Sequence, residues 1–187
     1  MTAMATAQRM TADEYLAQPY EERRSQLVEG EVVMQDPLNL HQVVVMDLLR
    51  ALDGWVCEQP GRGRVSIPLD VKLDERNVFG PDLMWYAQGR APGRDDDRPY
   101  PIPDLVVEVR SPSTWRYDIG AKKSAYERAG LPELWLVDTA ADVVLVFRRS
   151  SPKAAPFDVA LEPGVDDELT SPLLAGFALA LRGLFDA

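Results

Sequence analysis

The feature that most constrains the fold is an unbroken run of branched apolar residues that contains one acid. The run, Leu105–Val109, includes Glu108. A run of this kind is typical of a central strand that is covered on both faces. Glu108 would lose its hydration there, which costs several kcal/mol unless an opposite charge lies beside it. The sequence therefore predicts a buried strand over Asp104–Ser111 and a positive group close to Glu108.

Two further patterns predict helices. From Leu38 to Cys57 the apolar residues recur at three- and four-residue steps, beginning at Leu40, which indicates a helix with one face in the core. A second helix is predicted over Tyr117–Ala129, because Gly130 follows it as a helix stop. A capping-box pattern, Thr11 to Glu14, predicts a short helix before these two.

Strand-like segments separate these helices. They are predicted over Gln26–Met34, Val65–Leu73, Asp82–Ala87, Leu134–Asp138, Val143–Arg148 and Phe157–Leu161, and an apolar segment, Leu173–Phe185, follows. This order predicts an α/β (α+β) fold, in which helices flank a central mixed β-sheet. We expect a single domain over residues 1–187, with residues 1–10 disordered.

Composition limits the partners and the compartment. The chain has 20 Lys and Arg residues against 30 Asp and Glu residues, a net charge of −10, which argues against nucleic-acid binding by nonspecific attraction alone. Only Arg110–Arg128 is locally positive. The apolar runs are too short for a membrane span, and residues 1–10 do not resemble an export signal. One cysteine, Cys57, excludes an internal disulfide and predicts a buried thiol in a cytoplasmic protein.

A second acid could share a cation with Glu108. Asp82 follows Gly80 and Pro81 and opens a predicted strand. An aspartate in this position often has only a turn-forming role. Two carboxylates on adjacent strands can instead hold Mg²⁺ through one or two oxygens each. The residues alone leave both explanations open, as they do an ion pair that is purely structural at Glu108.

Polar residues on the second predicted helix could complete such a site. Asp118, Lys122 and Tyr126 are spaced by four and share one helical face, which could be directed at Glu108 or at solvent. Lys123 lies about 100° around the helix and cannot serve the same face.

Other candidates lie elsewhere in the chain. His41, the only histidine, begins the long helix, and Glu29 and Glu31 flank a predicted turn. Any of these three could approach the acids. Trp115 lies beside Arg116 and is the tryptophan most suited to stacking on a nucleic-acid base.

The order of these motifs resembles the putative restriction endonuclease family of bacterial proteins, within the PD-(D/E)XK nuclease superfamily. The resemblance extends from about residue 10 to residue 185 and is most specific between Pro103 and Asp138. Its motifs are Gln26–Glu31, His41, Pro81–Asp82, Pro103–Val109, Ser111–Thr114, Asp118, Lys122, Tyr126 and Gly130–Asp138.

The resemblance implies a DNA endonuclease that depends on Mg²⁺, with Mn²⁺ as a substitute. Asp82, Glu108 and the backbone carbonyl of Val109 would hold the metal, and Lys122 would complete the catalytic set. Residues that would support this set are Glu29, Glu31, His41, Asp118 and Tyr126, and candidates for DNA contact are Arg110, Trp115, Arg116 and Lys123.

The sequence departs from the family pattern at two positions. Arg110 stands two residues after Glu108, where the superfamily has lysine, and Gln26 stands where the family often has an acid. These departures favour an alternative, a non-catalytic module with the nuclease fold that binds DNA or a protein partner. We expect a homo-oligomer, a dimer, in either case. A third alternative is a structural protein that dimerises through its apolar C-terminal segment.

Overall fold

The computed structural model describes residues 9–19 and 25–186. The helices are α1 (Ala12–Leu16), α2 (Asn39–Glu58), α3 (Trp115–Tyr117), α4 (Lys123–Ala129) and α5 (Arg182–Phe185), and a π-helical turn spans Asp118–Lys122. The strands are β1 (Ser25–Val28), β2 (Glu31–Met34), β3 (Arg64–Ser66), β4 (Val71–Asp74), β5 (Asn77–Phe79), β6 (Leu83–Tyr86), β7 (Leu105–Val109), β8 (Glu133–Asp138), β9 (Val143–Arg148), β10 (Val159–Leu161), β11 (Glu168–Thr170) and β12 (Ala178–Ala180).

The predicted fold class is confirmed: a mixed sheet is packed between helices. The central sheet has the order β10-β9-β8-β7-β6-β3, and only its β7–β8 pair is parallel. Every residue of β7 is buried, as the apolar run predicted. The helical connection between β7 and β8 is the crossover that a parallel pair requires.

A second sheet, with the order β2-β1-β5-β4, corrects one predicted element. The segment Val65–Leu73 is not one strand, because Pro68 lies between β3, which joins the central sheet, and β4, which joins the second sheet. Proline has no N–H to donate to a ladder, so a strand breaks there readily. The short strand β5 was not predicted.

Helix α2 covers one face of the central sheet. Its buried apolar residues, Val44, Leu48, Leu52 and Trp55, pack in one cluster with β6, β7 and β8. Burying each such side chain stabilises the fold by about 1.5 to 3 kcal/mol. Leu40, predicted on this face, is exposed instead.

The C-terminal segment packs against the same face. Leu174, Phe177, Leu181 and Leu184 are buried in the α2 cluster, and Trp135 stacks on Phe177 with 6.0 Å between ring centroids. These side chains are therefore part of this chain's own core. The alternative in which this apolar segment forms a dimer face loses its basis.

Helix α4 and the second sheet cover the opposite face. Tyr126 on α4 packs there with Phe79 of β5 and with the alternate residues of the central strands, such as Val106. Gly130 ends α4 in the left-handed conformation, with φ of 87°, as the sequence predicted. The helix predicted over Tyr117–Ala129 is instead divided by the π-helical turn, which no residue type in the sequence marks.

Three smaller predictions also bear on the fold. Residues 1–8 of the segment predicted to be disordered lie outside the described residues, and Met10 donates its N–H to the carbonyl of Gly30. The prediction of a buried Cys57 is wrong, because its position on α2 faces outward and the thiol is exposed. None of the helices in residues 9–19 and 25–186 has the length and apolar character to cross a membrane.

Candidate functional site

The register of two adjacent strands places Asp82 beside Glu108. In the antiparallel β6–β7 pair, Leu83 is opposite Val107 and Met84 is opposite Val106. One step further along this register, Asp82 is opposite Glu108. Opposed residues of an antiparallel pair point to the same face, so both carboxylates lie on the face that α4 covers.

Glu108 is bound by two groups from the helical segment that follows β7. Its Oε1 lies 2.7 Å from the Nζ of Lys122, and the hydroxyl of Tyr126 donates to the same oxygen at 2.7 Å. All three residues are buried. The counter-charge predicted for Glu108 is therefore Lys122, and the polar helical face is directed at the strand.

The π-helical turn adds a third carboxylate to this cluster. Asp118 begins the turn and Lys122 ends it, and Lys122 Nζ lies 2.8 Å from Asp118 Oδ1. Thr114 donates its hydroxyl to Asp118 Oδ2 at 3.3 Å. Turns of this type occur often at functional sites. Lys122 thus pairs with two buried carboxylates at once.

Asp82 is held from two sides. Its Oδ2 accepts the backbone N–H of Val109 at 2.7 Å and lies 3.1 Å from Nε2 of His41, at the start of α2. In an antiparallel ladder the N–H and C=O of one residue point to the same side. The carbonyl of Val109 therefore faces Asp82, and Val109 lines the same pocket.

Acidic side chains outnumber basic ones in this cluster, with Asp82, Glu108 and Asp118 against Lys122 and His41. The pKa of Glu108 is raised to about 8, because burial, with Asp118 and Asp82, outweighs the opposite effect of Lys122. Burial lowers the pKa of Lys122, but its two carboxylate partners outweigh that effect and raise the pKa. Lys122 consequently remains an ammonium at neutral pH and cannot act as a base.

His41 follows the same electrostatic pattern. Burial by itself would lower the pKa of His41. The hydrogen bond and charge of Asp82, together with the charges of Glu108 and Asp118, outweigh burial, so the pKa is raised. Nδ1 of His41 is buried and has no hydrogen-bond partner among the described residues.

These groups surround a pocket of about 140 Å³. Oδ1 of Asp82 and Oε2 of Glu108 take part in no hydrogen bond with a described residue, whereas the second oxygen of each does. Within the described part of the chain, no three His, Cys, Asp or Glu side chains are grouped so that they could hold a metal ion by themselves. Mg²⁺ usually takes one or two protein carboxylates and keeps several waters. Two carboxylates and a nearby carbonyl are therefore a suitable donor set for it.

Several predicted residues lie outside this pocket. Glu29 is exposed at the β1–β2 turn, with φ of 50°, and faces a different surface cavity with Arg9 and Asn77. Glu31 is exposed on β2 and does not line the pocket. The turn at the end of β1 carries both away from Asp82.

The four candidates for DNA contact do not form one basic surface. Arg110 pairs with Asp138 at 2.7 Å, and its guanidinium lies over the half-buried ring of Trp115. Lys123 lies 4.5 Å from the ring centroid of Phe147, outside the pocket. Arg116 alone among the four is exposed. Two cations of this segment, Arg110 and Lys122, are thus paired with carboxylates of the protein itself.

One residue of the pocket escaped the sequence analysis. Asp36 lines the pocket as a fourth carboxylate, and its position just before Pro37 and α2 was the available signal. Gln26, where an acid was expected, is buried and donates to the carbonyl of Gly80, and its Oε1 lacks a partner among the described residues.

Removing the phenol of Tyr126 tests how firmly Glu108 is held. Tyr126→Phe is expected to lower the free energy of unfolding by about 1 to 2 kcal/mol, because Glu108 Oε1 keeps Lys122 as a partner. Urea unfolding measures the difference. Tyr117→Phe is the matched control, since the Tyr117 hydroxyl bonds only to exposed Arg116. Equal losses in the two variants would contradict this account of Glu108.

The pocket thus combines two facing acids of a mixed sheet with one lysine from the helical segment that follows β7. The sequence matches the family described as "Uma2: Putative restriction endonuclease" over residues 12–182. The chain belongs to this family, and the resemblance predicted from its motifs is confirmed.

A solved structure shares the fold. It is described as a putative nuclease belonging to DUF820, from Anabaena variabilis ATCC 29413. The two chains are 19% identical and superpose with a TM-score of 0.78, over 95% of this chain and 98% of the other. No match was found among curated proteins.

Proposed function

We propose that this protein hydrolyses phosphodiester bonds in DNA with the help of Mg²⁺, which Mn²⁺ can replace. The observation that carries the proposal is the acid content of the pocket, which Asp82, Glu108 and Asp118 line together with a single ammonium, Lys122. Once Glu108 is ionised, carboxylates outnumber cations there, and a buried excess of negative charge favours a bound cation. Membership in a family described as putative restriction endonucleases supports phosphodiester chemistry.

Asp82, Glu108 and the Val109 carbonyl would hold the metal. When bound, Mg²⁺ supplies positive charge at the scissile phosphate and lowers the pKa of water. Glu108 must give up its proton to act as a ligand, and the ammonium of Lys122 stabilises the resulting carboxylate. His41 and the Val109 N–H fix one oxygen of Asp82, so its other oxygen keeps a defined orientation.

Supercoiled plasmid provides a direct test. Wild-type protein with millimolar Mg²⁺ or Mn²⁺ should convert it to nicked circles, and protein with EDTA should not. Glu108→Gln, close to isosteric, should lose nicking. It should also lose the rise in melting temperature, about 3 to 5 °C for metal at ten times its Kd, that binding gives the wild type.

A matched control uses a second buried acid of the same sheet. Glu133, at the start of β8, accepts hydrogen bonds from Trp135 and Ser171 and lies outside the pocket. Glu133→Gln should retain both nicking and the metal-dependent rise in melting temperature. Wild-type protein that neither melts higher with metal nor nicks any plasmid would contradict the proposal.

One observation favours a second candidate function, a non-catalytic module that binds DNA or a protein partner. Arg110, which stands where the superfamily has lysine, pairs with Asp138 and does not line the pocket, so it supplies no cation to the two facing acids. Such a module would bind without cutting. A gel shift that needs no metal, together with absent cleavage, would select this second candidate.

A further inference from the structure

The outward side of α2 carries apolar residues that the described part of the chain does not cover. Leu40 is 47% exposed, Val43 36% and Met46 46%. Their three-residue spacing places them along one side of the helix, opposite the side that packs on the central sheet. Scattered exposed apolar residues are ordinary, but a contiguous stripe indicates an interaction surface.

The same side of α2 continues to the end of the helix, where charged residues and then small ones follow the apolar residues. Asp47 and Arg50 follow and pair with each other at 2.8 Å. Gly54 and Cys57 come next, and both are exposed, with open space where a Cβ at Gly54 would lie. We call this set the α2 outer stripe: Leu40, Val43, Met46, Asp47, Arg50, Gly54 and Cys57.

The outer stripe is complementary to itself. If two copies of α2 meet antiparallel, with a two-fold axis between positions 48 and 49, Asp47 lies opposite Arg50 of the other copy. The same register sets Val43 opposite Gly54, and Leu40 opposite Cys57. A bulky residue therefore meets a small one at each end, and the four central charges alternate in sign around the axis. Isologous interfaces need this property, because each patch must complement its own copy.

The charge of the stripe favours a second copy over other occupants. The chain has a net charge of −10, yet the stripe holds one acid and one base and is neutral. Nucleic acid would need a basic surface instead. Two strongly acidic molecules can approach most closely where their contact surface carries no net charge.

The area indicates a weak complex. A helix of 20 residues is about 30 Å long, so one side of it offers about 300 Å² to a partner. Met34 and Leu38, which are 60% and 56% exposed, precede the helix and extend the apolar surface. The combined area of the helix side and these two residues remains below the ~800 Å² per partner of a standard interface. We therefore expect a dissociation constant in the micromolar range or weaker.

We propose that the α2 outer stripe docks a second copy of this chain, antiparallel across a two-fold axis at the middle of the helix. This dimer is independent of the chemistry in the pocket.

Sedimentation velocity of the full chain from about 5 to about 500 µM tests it. The wild type should shift from monomer to dimer as concentration rises. Val43→Glu should remain monomeric at every concentration, with unchanged circular dichroism and melting temperature because position 43 is exposed. Leu161→Glu, at an equally exposed apolar position on β10, should dimerise like the wild type. A wild type that stays monomeric, or a Val43→Glu variant that still dimerises, would overturn the proposal.

Charge reversal tests the register. Asp47→Arg places four positive charges around the axis and should weaken the dimer at least tenfold, as a few unfavourable charge contacts would. Adding Arg50→Asp restores the alternation and should restore dimerisation. Failure of the double variant to recover, while its fold is intact, would refute the antiparallel register.

Disulfide trapping provides an independent measurement. Two native Cys57 residues would lie about 25 Å apart along the paired helices and could not join. Leu40→Cys would place a thiol opposite Cys57 of the other copy, and diamide, the oxidant, should convert each thiol pair to an intermolecular disulfide. Leu161→Cys is the matched control and should give no covalent dimer above the wild-type level. Equal trapping of the two variants, or none in Leu40→Cys, would count against the proposed pairing.

Discussion

Replacing Lys122 by methionine is expected to lower the free energy of unfolding by about 3 to 5 kcal/mol, because it leaves two buried carboxylates without their cation. Methionine has a similar length and fills the same space, so the loss reports charge and hydrogen bonding rather than a cavity. Urea unfolding at neutral pH, with an unchanged m value, measures it. The substitution should also abolish any metal-dependent nicking.

Lys123→Met is the matched control. Lys123 is the next residue, and its ammonium lies over the ring of Phe147, an interaction that contributes about 0.5 to 1 kcal/mol. A second comparison uses Glu108→Gln in the Lys122→Met background, which removes an acid that must otherwise take up a proton to stay buried, and should recover part of the lost stability. If the two lysine variants were equally stable, Lys122 would not be the charge that balances Glu108 and Asp118.

The pH dependence of Lys122→Met provides a separate check. Lys122 holds the pKa of Glu108 down against burial, so its removal raises that pKa further. A carboxyl whose pKa is higher in the folded than in the unfolded state stabilises the fold at low pH, and this contribution is lost as the pH rises through the folded pKa. The deficit of Lys122→Met should therefore be nearly constant below pH 7 and grow as the pH rises from 7 to 9.5, where Glu108 ionises in the wild type but stays protonated in the variant. A deficit that is unchanged across pH 7 to 9.5 would mean that the loss is not electrostatic.

Much of this cluster could be predicted because its signals are local. An acid within a continuous apolar strand requires a counter-charge, and Lys122 and Tyr126 lie on the one polar side of the following helix. Asp82 and Glu108 were predicted on adjacent strands, the first where its strand opens and the second within its strand. The structure adds the register that makes these two residues directly opposite.

Other features depend on contacts that no local pattern encodes. The π-helical turn arises where Asp118 and Lys122 both bond within the cluster, and the sequence there is compatible with an ordinary α-helix. Arg110 was expected on the DNA-binding surface, but its partner, Asp138, lies on the next strand of the sheet. Cys57 and Leu40 fit an apolar helix pattern, although the helix turns both outward. Hydrophobicity alone does not distinguish a core from an exposed stripe.

The affinity for Mg²⁺ is expected to rise about 50-fold from pH 6 to pH 8 and to level off above that, because Glu108 must lose one proton to become a ligand. Burial raises the pKa of Glu108 to about 8, so its proton competes with the metal throughout this range. Isothermal titration calorimetry, in two buffers that differ in ionisation enthalpy, measures both the affinity and the proton released. The number of protons released on metal binding should approach one per metal near pH 6 and fall almost to zero near pH 9.

His41 also contributes to the pH dependence of the Mg²⁺ affinity, and its contribution can be measured separately. Its raised pKa means that a positive imidazolium beside Asp82 also opposes a cation at low pH. His41→Gln removes that contribution, and the slope that remains belongs to Glu108. Without metal, the stability from protonated Glu108 is present below pH 4.5 and is lost as the pH rises through about 8, so Mg²⁺ should protect the protein most at alkaline pH. A flat affinity from pH 6 to pH 8 in both proteins would exclude Glu108 as a ligand that exchanges its proton for the metal.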